Sequence, residues 1–373
     1  MILICDDMTE PTDVVKSAVR NLRAYSLSPH RASVKINQNE NPWDAPAAIK
    51  EETLRRLANR KWSRYPDFIP VALHEKLAAF ASWLPDGVLA GNGSNELIQA
   101  LLMVTVSEKK RVLISEPTFA LYRQVTTVLG GEVASVPLTD RFEFDVDALL
   151  HVIQKTSPDV VILCSPNNPT GCLLGDDDLR KLLSATSGLV VIDEAYHEFA
   201  EHSVVPLLDE FKNLVVLRTF SKALALAAFR VGYLLAAPEL VTEIRKALLP
   251  YNLNAFSQAA AEVAIEMYEP ELLPLVKKII AERERLFAQL KCIDGLEPVA
   301  SRANFMIVKA GIGPKEVFTE LLKHDILVRD VSSYPMLSDY FRFNIGTPEE
   351  NDLLIDALQQ IAIGGSGVST TTR

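Results

Sequence analysis

The sequence predicts an α/β protein in which a mainly parallel central sheet carries helices on both faces and a smaller α/β domain follows. Three observations carry this expectation. The chain has 373 residues, too long for one ordinary domain and too short for three. Between about residues 112 and 237, short apolar runs alternate with longer segments of mixed polarity. The runs are nearly continuous in apolar character instead of alternating, which marks strands covered on both faces and therefore parallel pairing.

The runs are Val112-Leu113-Ile114, Val160-Val161-Ile162-Leu163, Leu189-Val190-Val191-Ile192, Leu214-Val215-Val216-Leu217 and Gly232-Tyr233-Leu234-Leu235. In such sheets ligands sit beyond the carboxyl ends of the strands, so the residues following each run are the candidates for chemistry. Residues 257–290 have a helical rhythm interrupted by Pro270 and Pro274, suiting a spine between two domains. The C-terminal part reads as a compact unit, with strand-like residues 304–308, a helix over 314–324 and a strand over 341–345. The expected division is an N-terminal arm over 1–40 that contributes to the small domain, a large domain over 41–269, the small domain over 270–363, and a disordered Gly/Ser/Thr tail over 364–373.

Composition narrows the function. With 38 basic and 48 acidic residues the formal charge is -10, which argues against a general nucleic-acid or anionic-membrane surface. Cys5, Cys164, Cys172 and Cys292 lack metal-knuckle spacing and read as reduced, mostly buried thiols, and no metal is expected. The acidic start of the chain and the lack of a membrane-length apolar run lead to the expectation of a soluble, cytoplasmic protein.

The strand ends are chemically loaded. Residues 160–163 are followed by Ser165-Pro166-Asn167-Asn168-Pro169-Thr170-Gly171, where two prolines restrict the backbone and present an amide. Residues 189–192 lead into Asp193, Glu194, Ala195 and Tyr196; residues 214–217 lead into Arg218, Thr219, Phe220, Ser221, Lys222 and, eight residues on, Arg230. Gly91-Asn92-Gly93-Ser94-Asn95-Glu96 precedes a helical run, so backbone N–H groups there can approach an anion. Taken singly, these segments read as a turn, a loop, a helix cap and a chance Ser-Lys pair. Their joint appearance, in this order and each beyond a strand, points to one site.

Pyridoxal phosphate asks for this set of partners. Its aldehyde needs an amine whose pKa is lowered by an apolar setting and a nearby cation, as Lys222 beside Ala223, Leu224 and Ala225 provides. Its pyridine nitrogen needs a buried carboxylate, for which Asp193 is the candidate. Its phenolate needs donors, which Asn168 and Tyr196 supply. Its phosphate needs fixed donors, found in Gly93, Ser94, Asn95, Ser221 and the fork of Arg230, with Thr219 alongside. Phe119 can cover the ring face.

These blocks, with Asn39-Glu40-Asn41-Pro42 and Arg64-Tyr65-Pro66, resemble the fold-type-I pyridoxal-phosphate aminotransferases and, within them, the histidinol-phosphate aminotransferases, over residues 22–346. The resemblance implies that Lys222 holds the cofactor as a Schiff base and carries the proton, with Asp193 and Tyr196 beside it in catalysis. It also implies that Tyr65 reaches the cofactor phosphate of a neighbouring subunit in a homodimer with shared sites. Arg329, Arg342 and Tyr25, with Asn168, correspond to the family's substrate contacts. The implied reaction is transamination between L-histidinol phosphate and 2-oxoglutarate in histidine biosynthesis. An aromatic amino-acid aminotransferase and a threonine-phosphate decarboxylase share much of the motif set. Phe119 departs from the tyrosine of many relatives, and Trp43 from a smaller aromatic, which bears on substrate fit.

Overall fold

The computed structural model describes residues 10–22 and 29–365. The fold is organised by a seven-stranded sheet made of β2 (Val88–Gly91), β3 (Arg111–Glu116), β4 (Glu132–Pro137), β5 (Val160–Cys164), β6 (Leu189–Asp193), β7 (Leu214–Thr219) and β8 (Gly232–Ala236). Its order is β2-β8-β7-β6-β5-β3-β4, and the pairs β7/β6, β6/β5, β5/β3 and β3/β4 are parallel. Every residue of β5 and β7 is buried, as expected for strands with helices on both faces. The five apolar runs all become strands.

One of them corrects the expectation of parallel pairing. The Gly232 run, β8, lies antiparallel to both β7 and β2. The physical reason is the short return from β7, in which the single turn Ala227–Phe229 replaces the crossover helix that a parallel strand requires. Strands β2 and β4 had no sequence signal of their own. The first has only four residues, and the second is a half-exposed edge whose glutamate, serine and proline dilute its apolar pattern.

The spine consists of the helix Ala255–Glu266, a π-helical turn Tyr268–Leu272 and the helix Leu273–Leu290. Pro270 lies in the π turn and Pro274 in the first turn of the following helix, where its missing N–H costs little. Beyond it, β9 (Leu296–Pro298), β10 (Phe305–Ala310), β12 (Arg329–Asp330) and β13 (Tyr340–Asn344) form an antiparallel sheet in the order β12-β13-β10-β9. The N-terminal segment joins this part of the molecule, since β1 (Val34–Lys35) pairs in parallel with β11 (Ile326–Leu327). The last helix, Pro348–Gly365, runs two residues into the stretch expected to be a tail, and residues 366–373 lie outside the described residues. Cys164 is buried and Cys172 half-buried, whereas Cys292 is exposed, against the expectation of mostly buried thiols; Cys5 lies outside the described residues.

Candidate active site

The parallel strands aim their carboxyl ends at a cavity of about 210 Å³ that the N-terminal segment and the small-domain sheet close from the other side. Ser94, Asn95, Phe119, Asn168, Asp193, Tyr196, Thr219, Ser221, Lys222, Arg230, Arg329 and Arg342, all expected at the site, line this one cavity.

Its floor is fixed by buried polar contacts. Asp193 ends β6 and is almost inaccessible. Tyr122 donates its hydroxyl to Asp193 Oδ2 at 2.7 Å and the Ala195 N–H donates to Oδ1 at 3.1 Å. Burial pushes the Asp193 carboxyl up to about 6 against those two hydrogen bonds, so the site presents a carboxylate in need of a cation. The loop behind it is locked by the buried pair of Arg218 and Glu194, 2.9 Å apart, with the Val204 N–H and the Ser203 hydroxyl also donating to Glu194. Removing one partner of such a pair costs about 3–5 kcal/mol, which explains why these charges follow the strands without lining the cavity.

Lys222 reaches the same space from the end of β7. Its Nζ donates to the Gln38 carbonyl at 3.0 Å. Burial, followed by the guanidinium of Arg342, lowers its pKa to about 8, so an appreciable share is the neutral amine near neutral pH. Asn168 accepts from Arg342 Nη1 at 2.6 Å through Oδ1, and its neighbour Asn167 is structural, spending its amide on Pro117 and Thr170.

One end of the cavity suits a phosphate. The helix Ser94–Thr105 begins there, with Ser94 and Asn95 in its first turn. Arg230 donates to the Ser221 hydroxyl at 3.0 Å, and Thr219 and Ser221 face each other at 3.1 Å. Gly93, though outside the lining, shapes this cup: its φ is +81°, and a Cβ would lie 2.6 Å from Arg230 Nη2. Opposite it, a Cβ on Gly232 would come within 2.3 Å of the Ser94 nitrogen. The cup stays open because neither residue has a side chain. Fixed donors for a dianion, an aromatic face at Phe119, a buried carboxylate at Asp193 and an amine at Lys222 are the groups that would hold pyridoxal phosphate, so the residues present fit it.

The other end carries two arginines. Thirteen residues apart in sequence, Arg329 and Arg342 are direct partners in the antiparallel β12/β13 register. Like charges opposite each other in a sheet repel, and an anion bound between them would offset that repulsion. Arg342 is further held by donating Nη2 to the Asn37 carbonyl at 3.1 Å.

Besides Gly93, one expected residue among those described does not line this cavity. Tyr65 is 78% exposed and stacks on Tyr251 with ring centroids 4.4 Å apart. Tyr25 lies outside the described residues. Conversely, Gln38 and Tyr334 of the cavity lining and Tyr122, which holds Asp193, were not singled out from sequence, and Asn39 was noticed only within its motif and given no role. Tyr122 had a usable signal, falling one helical turn after Phe119, with which it packs edge-on at 5.7 Å. The others come from irregular segments with no periodicity to read.

The comparisons with known proteins agree with this architecture. Residues 32–358 match the family model described as aminotransferase class I and II. The chain belongs to that family, and its cofactor is pyridoxal 5′-phosphate. A protein of Chlorobium phaeovibrioides named histidinol-phosphate aminotransferase is 39% identical over 350 residues, spanning 93% of this chain and 96% of that one. Another of that name from Chlorobaculum parvum is 39% identical, covering 93% and 98% of the two chains. Among solved structures, the histidinol-phosphate aminotransferase of Sinorhizobium meliloti superimposes with a TM-score of 0.84 at 24% identity, covering 94% of this chain and 98% of that one, which shows the common fold.

Proposed function

We propose that the protein transaminates L-histidinol phosphate with 2-oxoglutarate as acceptor, a step of histidine biosynthesis. The observation that carries this reading is the opposed pair Arg329 and Arg342 in the cavity, two guanidinium groups for one anion. A phosphate monoester carries about 1.5 to 2 charges and three acceptor oxygens, more than one fork satisfies, whereas a carboxylate is matched by one. The names of the relatives support the same choice.

When bound, pyridoxal phosphate supplies an aldehyde and a ring that withdraws electrons from the substrate carbon. The chain's own residues do the rest. Lys222 would hold the cofactor through its Nζ and, as a free amine, that Nζ would take up and return the proton of the substrate carbon. Asp193 would pair with the ring nitrogen of the cofactor and favour its protonated form. Asn168 and Tyr196 donate to the ring oxygen. Ser94, Asn95, Thr219, Ser221 and Arg230, beside Gly93, hold the cofactor phosphate, and Phe119 covers the ring. Arg329 and Arg342, with Asn168 and Tyr25, seat the substrate.

Steady-state kinetics on three donors test the substrate. Histidinol phosphate is expected to exceed both histidinol and phenylalanine in kcat/KM, and Arg329→Ala and Arg342→Ala each to lower it by about 10- to 100-fold. Phenylalanine as the better donor would reassign the enzyme to aromatic amino acids, and carbon dioxide release from threonine phosphate would make it a decarboxylase.

The protein acts as a homodimer in the cytoplasm in this reading. Supporting the dimer, Trp62, Tyr65, Phe68 and Leu249 are large side chains exposed together with Tyr251 and Phe256, an apolar surface of the kind that copies of a chain cover. Among the described residues no helix is long and apolar enough to cross a membrane. If Tyr65 acts in its partner's site, mixing inactive Tyr65→Phe and Lys222→Ala parents restores activity, up to about a quarter of wild type in an equal mixture, because each hybrid holds one intact site. Verified exchange of subunits without recovery would refute the shared site.

A further inference from the structure

We infer that Asn39 is the positioning residue that aims the Tyr196 hydroxyl at the ring oxygen of the cofactor, so that the small domain sets the charge on that oxygen. This rests on the proposed role of Tyr196 as a donor there.

Tyr196 is buried, and burial pushes its phenol well above its ordinary pKa, so it works as a neutral hydroxyl with a single proton to give. A phenol hydroxyl rotates about its C–O bond, and nothing in the tyrosine itself decides where that proton points. Asn39 decides it. The Asn39 amide donates to the Tyr196 oxygen at 3.0 Å. With a donor on one side of the oxygen, the O–H must turn elsewhere, and both residues line the same cavity. The donated hydrogen bond also draws electron density from the phenol, strengthening it as a donor in turn.

Asn39 is itself held with unusual care. Its φ is +56°, a region in which asparagine is far better tolerated than most residues. Its backbone N–H donates to Asn344 Oδ1 at 3.1 Å, and Asn304 donates its amide to the Asn39 carbonyl at 3.2 Å. Asn304 immediately precedes β10 and Asn344 ends β13, so both anchors belong to the small-domain sheet. Tyr196 belongs to the loop after β6 in the large domain. Asn39 therefore links the seating of one domain to a donor in the other. Its buried Oδ1 has no hydrogen-bond partner among the described residues, so the amide N–H2 is the group with work at this position.

The test reads the holoenzyme without substrate, as the pH midpoint of the visible absorption change of the cofactor attached at Lys222. A donor on the ring oxygen competes with the nearby nitrogen's proton for that oxygen's charge. A weaker donor lets the nitrogen keep its proton to higher pH and raises the midpoint. Tyr196→Phe should raise it most. Asn39→Gly, which keeps the left-handed backbone and deletes the amide, should raise it by about half a unit to one unit, the size of one lost hydrogen bond. Asn39→Asp keeps the shape and offers the phenol an acceptor, so it should raise the midpoint too. In a Tyr196→Phe background neither change should add a further shift, since there is no hydroxyl left to aim.

An unchanged midpoint in Tyr196→Phe removes the role of Tyr196, and this inference with it. A shift in Tyr196→Phe with none in either Asn39 variant leaves Tyr196 standing and overturns the inference alone. A downward shift in Asn39→Gly, or an equal shift with and without the tyrosine hydroxyl, also overturns it. Asn39→Asp retains the side-chain volume and carries the test if Asn39→Gly fails to fold.

Discussion

Lys222→Ala is expected to lower kcat by about a thousandfold or more, the loss expected when one group is both the attachment point and the proton carrier. No neighbour can replace it. Of the cations around its amine, Arg342 and Arg230 are guanidinium groups that stay protonated and Lys35 is paired with Glu40; after burial, all three help to lower Lys222 to about 8. The variant should still bind the cofactor, because the phosphate cup, Asp193 and Tyr196 are untouched. It should lack the absorption that attachment to the protein produces. Borohydride should fix cofactor to the peptide containing residue 222 in wild type and fix none there in the variant. Cofactor trapped on that peptide in Lys222→Ala would show the assignment to be wrong.

Asp193→Asn should cost about 100- to 1,000-fold in kcat while leaving the fold intact. The side chain keeps its shape, and its oxygen can still accept from Tyr122 or Ala195, the two donors of the wild-type carboxylate. Only the charge is lost, and with it the hold on the ring proton. Stability gives an independent check on cofactor-free protein. The Asp193 carboxyl rises from 3.8 to about 6 on folding because of burial. The native state therefore binds more protons than the unfolded state between about pH 4 and 6, and the contribution of this group to stability is full below that window and is lost as pH rises through it. Asp193→Asn should lack that decline, so the stability curves of the two proteins, measured by denaturant unfolding, should separate in the variant's favour as pH rises toward 7. Activity within a few-fold of wild type would exclude the role of Asp193.

Much of this arrangement was legible in the chain because parallel sheets place chemistry at strand ends. Residues 160–163, 189–192 and 214–217 are apolar enough to declare themselves as buried strands, and Asn168, Asp193, Tyr196, Thr219, Ser221 and Lys222, just beyond their ends, all line the cavity. The direction of β8 was not legible, because it depends on the length and path of the return from β7 and not on the composition of the strand. Arg329 and Arg342 were recognisable as candidates, yet their register as direct partners is a property of hydrogen-bonded pairing across a loop. Asn39 was noticed within a motif and given no task. Its task depends on contacts with residues 196, 304 and 344, which lie far away in sequence, and on an αL backbone that asparagine permits but does not advertise.

The proposed phosphate cup is joined from two distant stretches of chain. Gly93 to Asn95 come after β2, Thr219 and Ser221 lie at the end of β7, and Arg230 precedes β8, so the donors meet only after β8 has inserted between its neighbours. An unfolded chain offers no such cluster and has little affinity for the cofactor. Bound cofactor consequently shifts the folding equilibrium by mass action, by about 2.7 kcal/mol when it is present at a hundred times its dissociation constant. Protein left without cofactor is therefore expected to be both inactive and more often open to degradation.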